Sequence, residues 1–300
     1  MREWSVGEVA ANVYGETMNA TQPTPEQDAL LAALAWQIEL GVDECIAEAP
    51  LNRFEEVAKA PKSKPKQNPA TTPLPAAKKV APPPAEDDLS GAVTEAQRAA
   101  SAATTLEELR TAMEGFDGCP LKRGARNTVF ADGNPAAKVM FIGEAPGRDE
   151  DRQGKPFVGR SGQLLDRMLA AIGLDRASDD PAKAAYITNV LPWRPVENRD
   201  PSTDEAVMLW AFLERHIQLA EPEIIVALGK SPAAALLERP VAITRMRGRW
   251  MTPARTGGKP LLLTFHPAYL LRQPLEKAKS WRDLLSLRAV LDGQAPTIET

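Results

Sequence analysis

The sequence predicts an α/β protein built on a four-stranded parallel sheet with helices on both faces. Four short apolar runs, residues 139–142, 185–190, 224–228 and 261–265, recur along the chain, each separated from the next by a stretch long enough for a helix. Such alternation is the mark of βαβ units. Each run also ends in glycine or polar residues: Gly143-Glu144-Ala145-Pro146-Gly147 after the first, Thr188-Asn189 at the end of the second, Gly229-Lys230-Ser231 after the third, His266-Pro267 after the fourth. Open α/β sheets bind ligands beyond the carboxyl ends of their strands, so these four ends are expected to converge on one crevice.

The 300 residues divide unevenly before that sheet begins. Residues 1–56, with eleven acids and two bases, read as an acidic helical N-terminal extension. There Thr24 caps a helix with Pro25 in its first turn, Leu30, Leu34 and Ile38 repeat at i+4, Gly41 ends it, and a short second helix follows Asp43. The extension reads either as a hairpin packed on itself or on the main domain, or as a docking element for a protein partner. Residues 57–90 hold six lysines, eight of the chain's 27 prolines and almost no bulky apolar side chains. Burial there cannot offset the entropy of ordering, so a disordered linker is expected. Residues 91–300 form the main domain, with 28 bases against 26 acids. The net charge of −4 therefore belongs to the extension, and the weakly basic remainder permits nucleic-acid binding.

Within the main domain the pattern turns helical from Thr94, and Thr104-Thr105-Leu106-Glu107-Glu108 carries a capping-box signature for a second helix ending near Gly115. No run of 18 apolar residues exists and the first residues lack the regions of a signal peptide, which predicts a cytoplasmic protein with no membrane contact. Cys45 and Cys119 are too few for a disulfide framework or a thiolate-only metal site. With only His216 and His266 to add, no metal is expected.

The loop after the first strand is the most informative stretch. Two glycines and a proline in 143–147 force a turn, polar residues follow through Asp149-Glu150-Asp151 to Pro156-Phe157-Val158-Gly159, and a helical pattern starts only at Ser161. A loop of that length in a compact domain is functional or disordered. Phe157, held between Pro156 and Val158-Gly159 with its ring exposed, is a candidate for stacking on a planar ligand, or else a core aromatic. Three consecutive acids read as a solvated face. Glu144 differs because its backbone is pinned; it is a candidate for orienting water or binding a metal. Asn189 offers a donor and an acceptor side by side, which suits the edge of a base, and also suits a turn. His266 stands where an imidazole can donate to charge developing on a substrate oxygen, or simply cap a helix. His216, in mid-helix, is expected on the surface. Gly229-Lys230-Ser231 lacks the glycine spacing of a Walker loop and reads as a helix N-terminus near phosphate. Leu270 and Leu271 followed by Arg272 make either an apolar wedge of the kind that enters a duplex or the first turn of a packed helix.

Five stretches, in order, resemble the uracil-DNA glycosylase superfamily, and most closely its family 4. They are Gly-Glu-Ala-Pro-Gly at 143–147, Gly-Lys-Pro-Phe-Val-Gly-Arg-Ser-Gly-Gln-Leu-Leu-Asp at 154–166, Tyr-Ile-Thr-Asn-Val at 186–190, Arg194-Pro195 with Asn198-Arg199, and His-Pro-Ala-Tyr-Leu-Leu-Arg at 266–272. The resemblance spans roughly residues 119 to 285. It implies a three-layer α/β fold and a monomeric enzyme that flips uracil out of DNA, hydrolyses its N-glycosidic bond and leaves an abasic site for base-excision repair. By the same resemblance Phe157 stacks on the flipped base, Asn189 reads its edge, and His266 stabilises the departing uracil anion. Glu144 positions the attacking water or steadies the sugar cation, while Gly143 and Ala145 lie beside the base. Leu270, Leu271 and Arg272 enter the minor groove, with Arg160, Ser161, Lys230 and Ser231 on the DNA. These roles agree with the chemistry: a base must leave the stack to be read, and glycosidic cleavage passes through a sugar cation and a base anion.

One departure is large. Family 4 enzymes hold a four-iron four-sulfur cluster on four cysteines. Here Cys119 fits one ligand position, but Phe116 stands three residues earlier, Trp193 precedes Arg194-Pro195, and residues 203–219 hold no cysteine. The chain is therefore expected to carry no cofactor, with apolar packing in the cluster's place. The insertion bearing a nucleophilic histidine in the covalent uracil-binding relatives is also absent between Asn189 and Asn198, which implies turnover rather than trapping. Two alternatives stand beside the leading reading: a catalytically silent DNA-binding module of the same fold, and a glycosylase for another deaminated base such as hypoxanthine.

Overall fold

A computed structural model of the chain describes residues 86–195, 199 and 202–298. The two helices expected near the N-terminus, and the expected linker up to residue 85, lie outside the described residues. Helix α1 (Glu86–Ala102) starts earlier than the pattern from Thr94 suggested, so the last residues of the expected linker are helical. Leu89, Ala92 and Val93 explain the early start, because they pack against the core of the main domain. Helix α2 (Leu106–Gly115) follows the sequence reading closely: the Thr105 hydroxyl accepts the Glu108 N–H, and the Glu108 carboxylate accepts the N–H and hydroxyl of Thr104, both at 2.7 Å.

Six strands follow, where the apolar runs predicted four. In chain order these are β1 (Ala131–Gly133), β2 (Val139–Gly143), then helices α3 (Arg148–Gln153) and α4 (Arg160–Ala171), β3 (Ala185–Asn189), α5 (Thr203–Ala220), β4 (Ile224–Leu228), α6 (Lys230–Leu237), α7 (Ile243–Met246), β5 (Trp250–Met251), β6 (Leu261–Thr264), α8 (Pro267–Arg272) and α9 (Lys277–Leu291). Their order across the sheet is β1-β3-β2-β4-β6-β5. The inner four are parallel, as expected; β1 and β5 pair antiparallel on the two edges. The edge strands escaped the sequence reading because three and two residues leave no hydrophobic run to see.

Strand alternation sorts the core into two layers. Met140 and Ile142 of β2 face α1, α2, α5 and α6, where Leu109, Met113, Leu209, Phe212 and Leu236 bury them. Val139 and Phe141 face the other way, onto Leu165 and Leu169 of α4 and Leu284 and Leu287 of α9. Both faces of the parallel strands are covered, which is why they read as unbroken apolar runs. Register then fixes the site: Gly143 pairs with Asn189, and Leu228 with Thr264, so the strand ends stand in one row. From β2 the chain crosses to β3 on one side, then returns past β2 to β4 on the other, leaving a crevice at the carboxyl ends between the diverging loops. Among the described residues no helix is long and apolar enough to cross a membrane.

Candidate active site

A cleft of about 420 Å³ opens at those ends. Glu144 and Ala145 beyond β2, Lys230 at the start of α6, and His266 and Arg272 around α8 line it. Behind this opening, Phe157 and Asn189 meet at Gly143. A Cβ placed on Gly143 would strike the Asn189 Oδ1 and come within 2.5 Å of the Phe157 ring, so a glycine is required where these two side chains converge. The Phe157 ring lies 5.3 Å from the His266 imidazole, tilted by 31°. Residues from the ends of three strands and the long loop are thus brought together as expected.

Phe157 itself is placed differently from the expectation. Its ring is not exposed: the residue is 5% accessible and packs with the α4 and α9 side of the core. Its backbone is left-handed, with φ of 52°. For a bulky aromatic this costs on the order of 1–3 kcal/mol, and such strain collects at sites that use it.

The Asn189 Oδ1 is buried and has no hydrogen-bond partner. A buried acceptor left unsatisfied costs about 1–3 kcal/mol, and an incoming N–H would recover it. His266 is polarised by its surroundings. Its Nδ1 accepts the Ala268 N–H at 3.1 Å at the start of α8, which leaves the ring proton on Nε2. Burial, aided by the nearby Arg272 guanidinium, pulls its pKa down to about 4, so the imidazole is neutral at physiological pH with one N–H to give. Glu144 is fixed by a neighbour: the Ser231 hydroxyl donates to its Oε2 at 2.7 Å. Ser231, expected on DNA, therefore orients a carboxylate. Arg160, Lys230 and Arg272 are exposed, as cations meeting phosphate need to be, and Ser161 is half-buried.

Three expectations are corrected. Glu150 and Asp151 are not solvated; both are buried, and α3 replaces part of the expected loop. The Glu150 carboxylate accepts the N–H groups of Gly147, Val158 and Gly159 at 2.9–3.1 Å, closing the loop that carries Phe157. Asp151 Oδ1 accepts the Arg126 N–H at 2.8 Å. The sequence signal for Glu150 was its place three residues into a helix opened by Gly147, the position from which a carboxylate turns back on the cap. His216 is not on the surface: it is 1% accessible, stacks on Phe130 at 4.3 Å and shares a 2.8 Å hydrogen bond with the Tyr186 hydroxyl. Leu270 is not an exposed wedge. It is 1% accessible and packs with Leu164 and Phe265, the packed-helix alternative, and Leu271 is half-buried against the same cluster. The bare leucine of this segment is Leu275, 92% accessible just beyond α8.

The positions at which the sequence resemblance would put cluster ligands do not suit one. Phe116, Cys119 and Trp193 are buried in the same layer as Leu209 and Phe212, the Phe116 and Phe212 rings lie 5.4 Å apart, and the Trp193 indole donates to the Thr128 hydroxyl at 3.0 Å. Burial pushes the Cys119 thiol up to about 11, away from the thiolate a metal needs. Among the described residues no group of three or more His, Cys, Asp or Glu could hold a metal ion.

Comparison with known proteins places these features. Residues 130–285 match the family model described as the uracil DNA glycosylase superfamily. A type-4 uracil-DNA glycosylase of Thermotoga maritima is 38% identical over 178 residues, covering 54% of this chain and 87% of the relative. The type-4 uracil-DNA glycosylase of Archaeoglobus fulgidus is 36% identical over 185 residues, 60% of this chain and 90% of the relative. That of Pyrobaculum aerophilum is 35% identical over 184 residues, 60% and 91% respectively.

Proposed function

The chain belongs to the uracil-DNA glycosylase superfamily, within its family 4, and on that premise we propose that it removes uracil from DNA by hydrolysing the N-glycosidic bond. The observation that carries the reading is the Asn189 Oδ1, buried and without a partner beside an aromatic ring and a neutral histidine. Uracil carries an N–H between two carbonyls on its Watson–Crick edge, so a carboxamide accepts from the N–H and donates to the adjoining oxygen. Phe157 stacks on the flipped ring. The His266 Nε2–H donates to the oxygen on which negative charge grows as the bond breaks, a role for which a neutral imidazole suffices. Glu144, oriented by Ser231, faces the sugar and orients the attacking water.

Outside the pocket, exposed Arg160, Lys230 and Arg272 meet DNA phosphates. Leu275 takes the wedge role that burial denies Leu270. The catalytic domain acts as a single chain from α1 onward. No iron–sulfur cluster takes part, because a phenylalanine and a tryptophan stand at two ligand positions and the chain has two cysteines in all. Iron and sulfide analysis of anaerobically purified protein is expected to give neither; about four irons per chain would refute this.

The test of function is single-turnover release from oligonucleotides bearing uracil, hypoxanthine or thymine mismatches. Uracil release is expected, slowed by about 2–4 kcal/mol in transition-state terms when Asn189 or His266 is replaced by Ala. DNA binding with no release of any base would leave the silent binding module standing in its place.

A further inference from the structure

We propose that Arg176 is a positioning residue for the base pocket, its guanidinium holding Phe157 in the backbone conformation that turns the ring toward His266. The inference rests on the stacking role given to Phe157 above.

Three non-glycine residues with positive φ are found among the described residues, and two of them, Glu221 and Glu238, are ordinary helix C-caps. Phe157 is the third and ends no helix. Something must hold it there, since a left-handed aromatic relaxes unless its surroundings forbid it. Arg176 supplies the restraint. Its Nη1 donates to the Pro156 carbonyl and its Nη2 to the Phe157 carbonyl, both at 3.0 Å. Consecutive carbonyls of an extended chain point to opposite sides. A residue of helical hand turns them to one side, where a planar fork can take both. The two accepted carbonyls flank Phe157, so the fork reads the φ and ψ of that one residue.

The fork is itself anchored. Nε and Nη2 meet Asp166 of α4 at 2.8 and 2.7 Å, and Nη1 meets Asp132 of β1 at 3.2 Å. With the two carbonyl bonds, these contacts engage Nε, Nη1 and Nη2 alike in a side chain only 13% accessible. From the other side, Gly162 of α4 lets the Phe157 carbonyl lie against the helix backbone; a Cβ there would overlap that carbonyl. Phe157 is therefore gripped between a glycine of α4 and an anchored arginine. A lysine keeps the charge between Asp132 and Asp166 but has no planar fork with which to hold two carbonyls.

The experiment uses the full chain, with Arg176→Lys, Arg176→Ala, Phe157→Leu and the two double variants. Arg176→Lys and Arg176→Ala are each expected to slow single-turnover uracil release between about fivefold and 150-fold, the worth of one stacked base. In the Phe157→Leu background neither is expected to slow it further, because the ring they position is gone. Losses that add, or rescue by lysine, would overturn the proposal in favour of a structural ion-pair network. A second readout needs no catalysis. With 13C-labelled phenylalanine, the Phe157 Cα and Cβ shifts are expected to carry a left-handed signature in the wild type that Arg176→Lys abolishes, and persistence of that signature would likewise overturn it. A wild type inactive on uracil would refute the proposed function alone, while the carbon shifts still decide the role of Arg176.

Discussion

Gly143→Ala is the sharpest perturbation the pocket offers, because it adds one methyl where the Asn189 amide and the Phe157 ring converge. The new Cβ would lie 2.5 and 2.6 Å from two Phe157 ring carbons. Unstrained carbon contacts lie at about 3.5–4.0 Å, so ring or amide must retreat by about 1 Å. A misplacement of about 1 Å at a reacting centre costs roughly a hundredfold in rate. Stability should suffer far less. Overpacking costs about 1–3 kcal/mol, partly offset by about 0.4–1 kcal/mol from stiffening the unfolded chain. A net loss of at most about 2.5 kcal/mol leaves the domain folded and lowers its melting point by roughly 10 °C or less. The assay is single-turnover uracil release with enzyme in excess, beside a thermal melt and a titration of uracil-free DNA. Release slowed about a hundredfold with DNA affinity unchanged is expected. A folded variant within about threefold of the wild-type rate would refute the claim that Gly143 shapes the pocket.

Three further outcomes are expected. With its pKa near 4, His266 should show a neutral Nε2–H tautomer by nitrogen NMR throughout pH 5.5–8, and an inflection near 6.5 would contradict the assigned protonation state. His216, whose pKa burial pulls down to about 3, binds its proton more readily in the unfolded chain. Its contribution to stability is therefore complete above about pH 6.5 and is lost as pH falls toward 3, amounting to about 2–3 kcal/mol by pH 4.5. Denaturant melts should show a pH slope shallower by about one proton in His216→Gln, and an unchanged slope would sink the assignment. Leu275→Ala should weaken binding to uracil-bearing duplex by up to about 2 kcal/mol while sparing single strands, and equal effects on both would remove Leu275 from the wedge role.

The parallel core was legible because each of its strands is buried on both faces and so spells itself as an apolar run. The common edge of the sheet where Glu144, Asn189 and His266 stand was legible for the same reason. What was hidden depends on partners distant in sequence. His216 looks like any helical polar residue until Phe130 and Tyr186 are seen to enclose it. Glu150 belongs to an acidic triplet whose place after Gly147 hints at the cap contact, but nothing near it in sequence shows that the Val158 and Gly159 N–H groups also await its carboxylate. Leu270 and Leu275 differ in no property a sequence records, and only the packing of α8 against α4 buries one and bares the other. The left-handed backbone of Phe157 has no local cause at all, since neither a glycine nor an asparagine marks it.

The grip of Glu150 on the Phe157 loop bears on how quickly DNA can be searched. Main-chain donors of Gly147, Val158 and Gly159 on one buried carboxylate give the pocket wall its shape. Undamaged bases outnumber lesions overwhelmingly, so most encounters end in rejection. A protein that had to fold its pocket around each base would wait for loop closure, a step of microseconds to milliseconds. On the proposed base-flipping reading, the wait at each position would be set by how long the DNA takes to offer a base and take it back, with the protein contributing a mould that is already set.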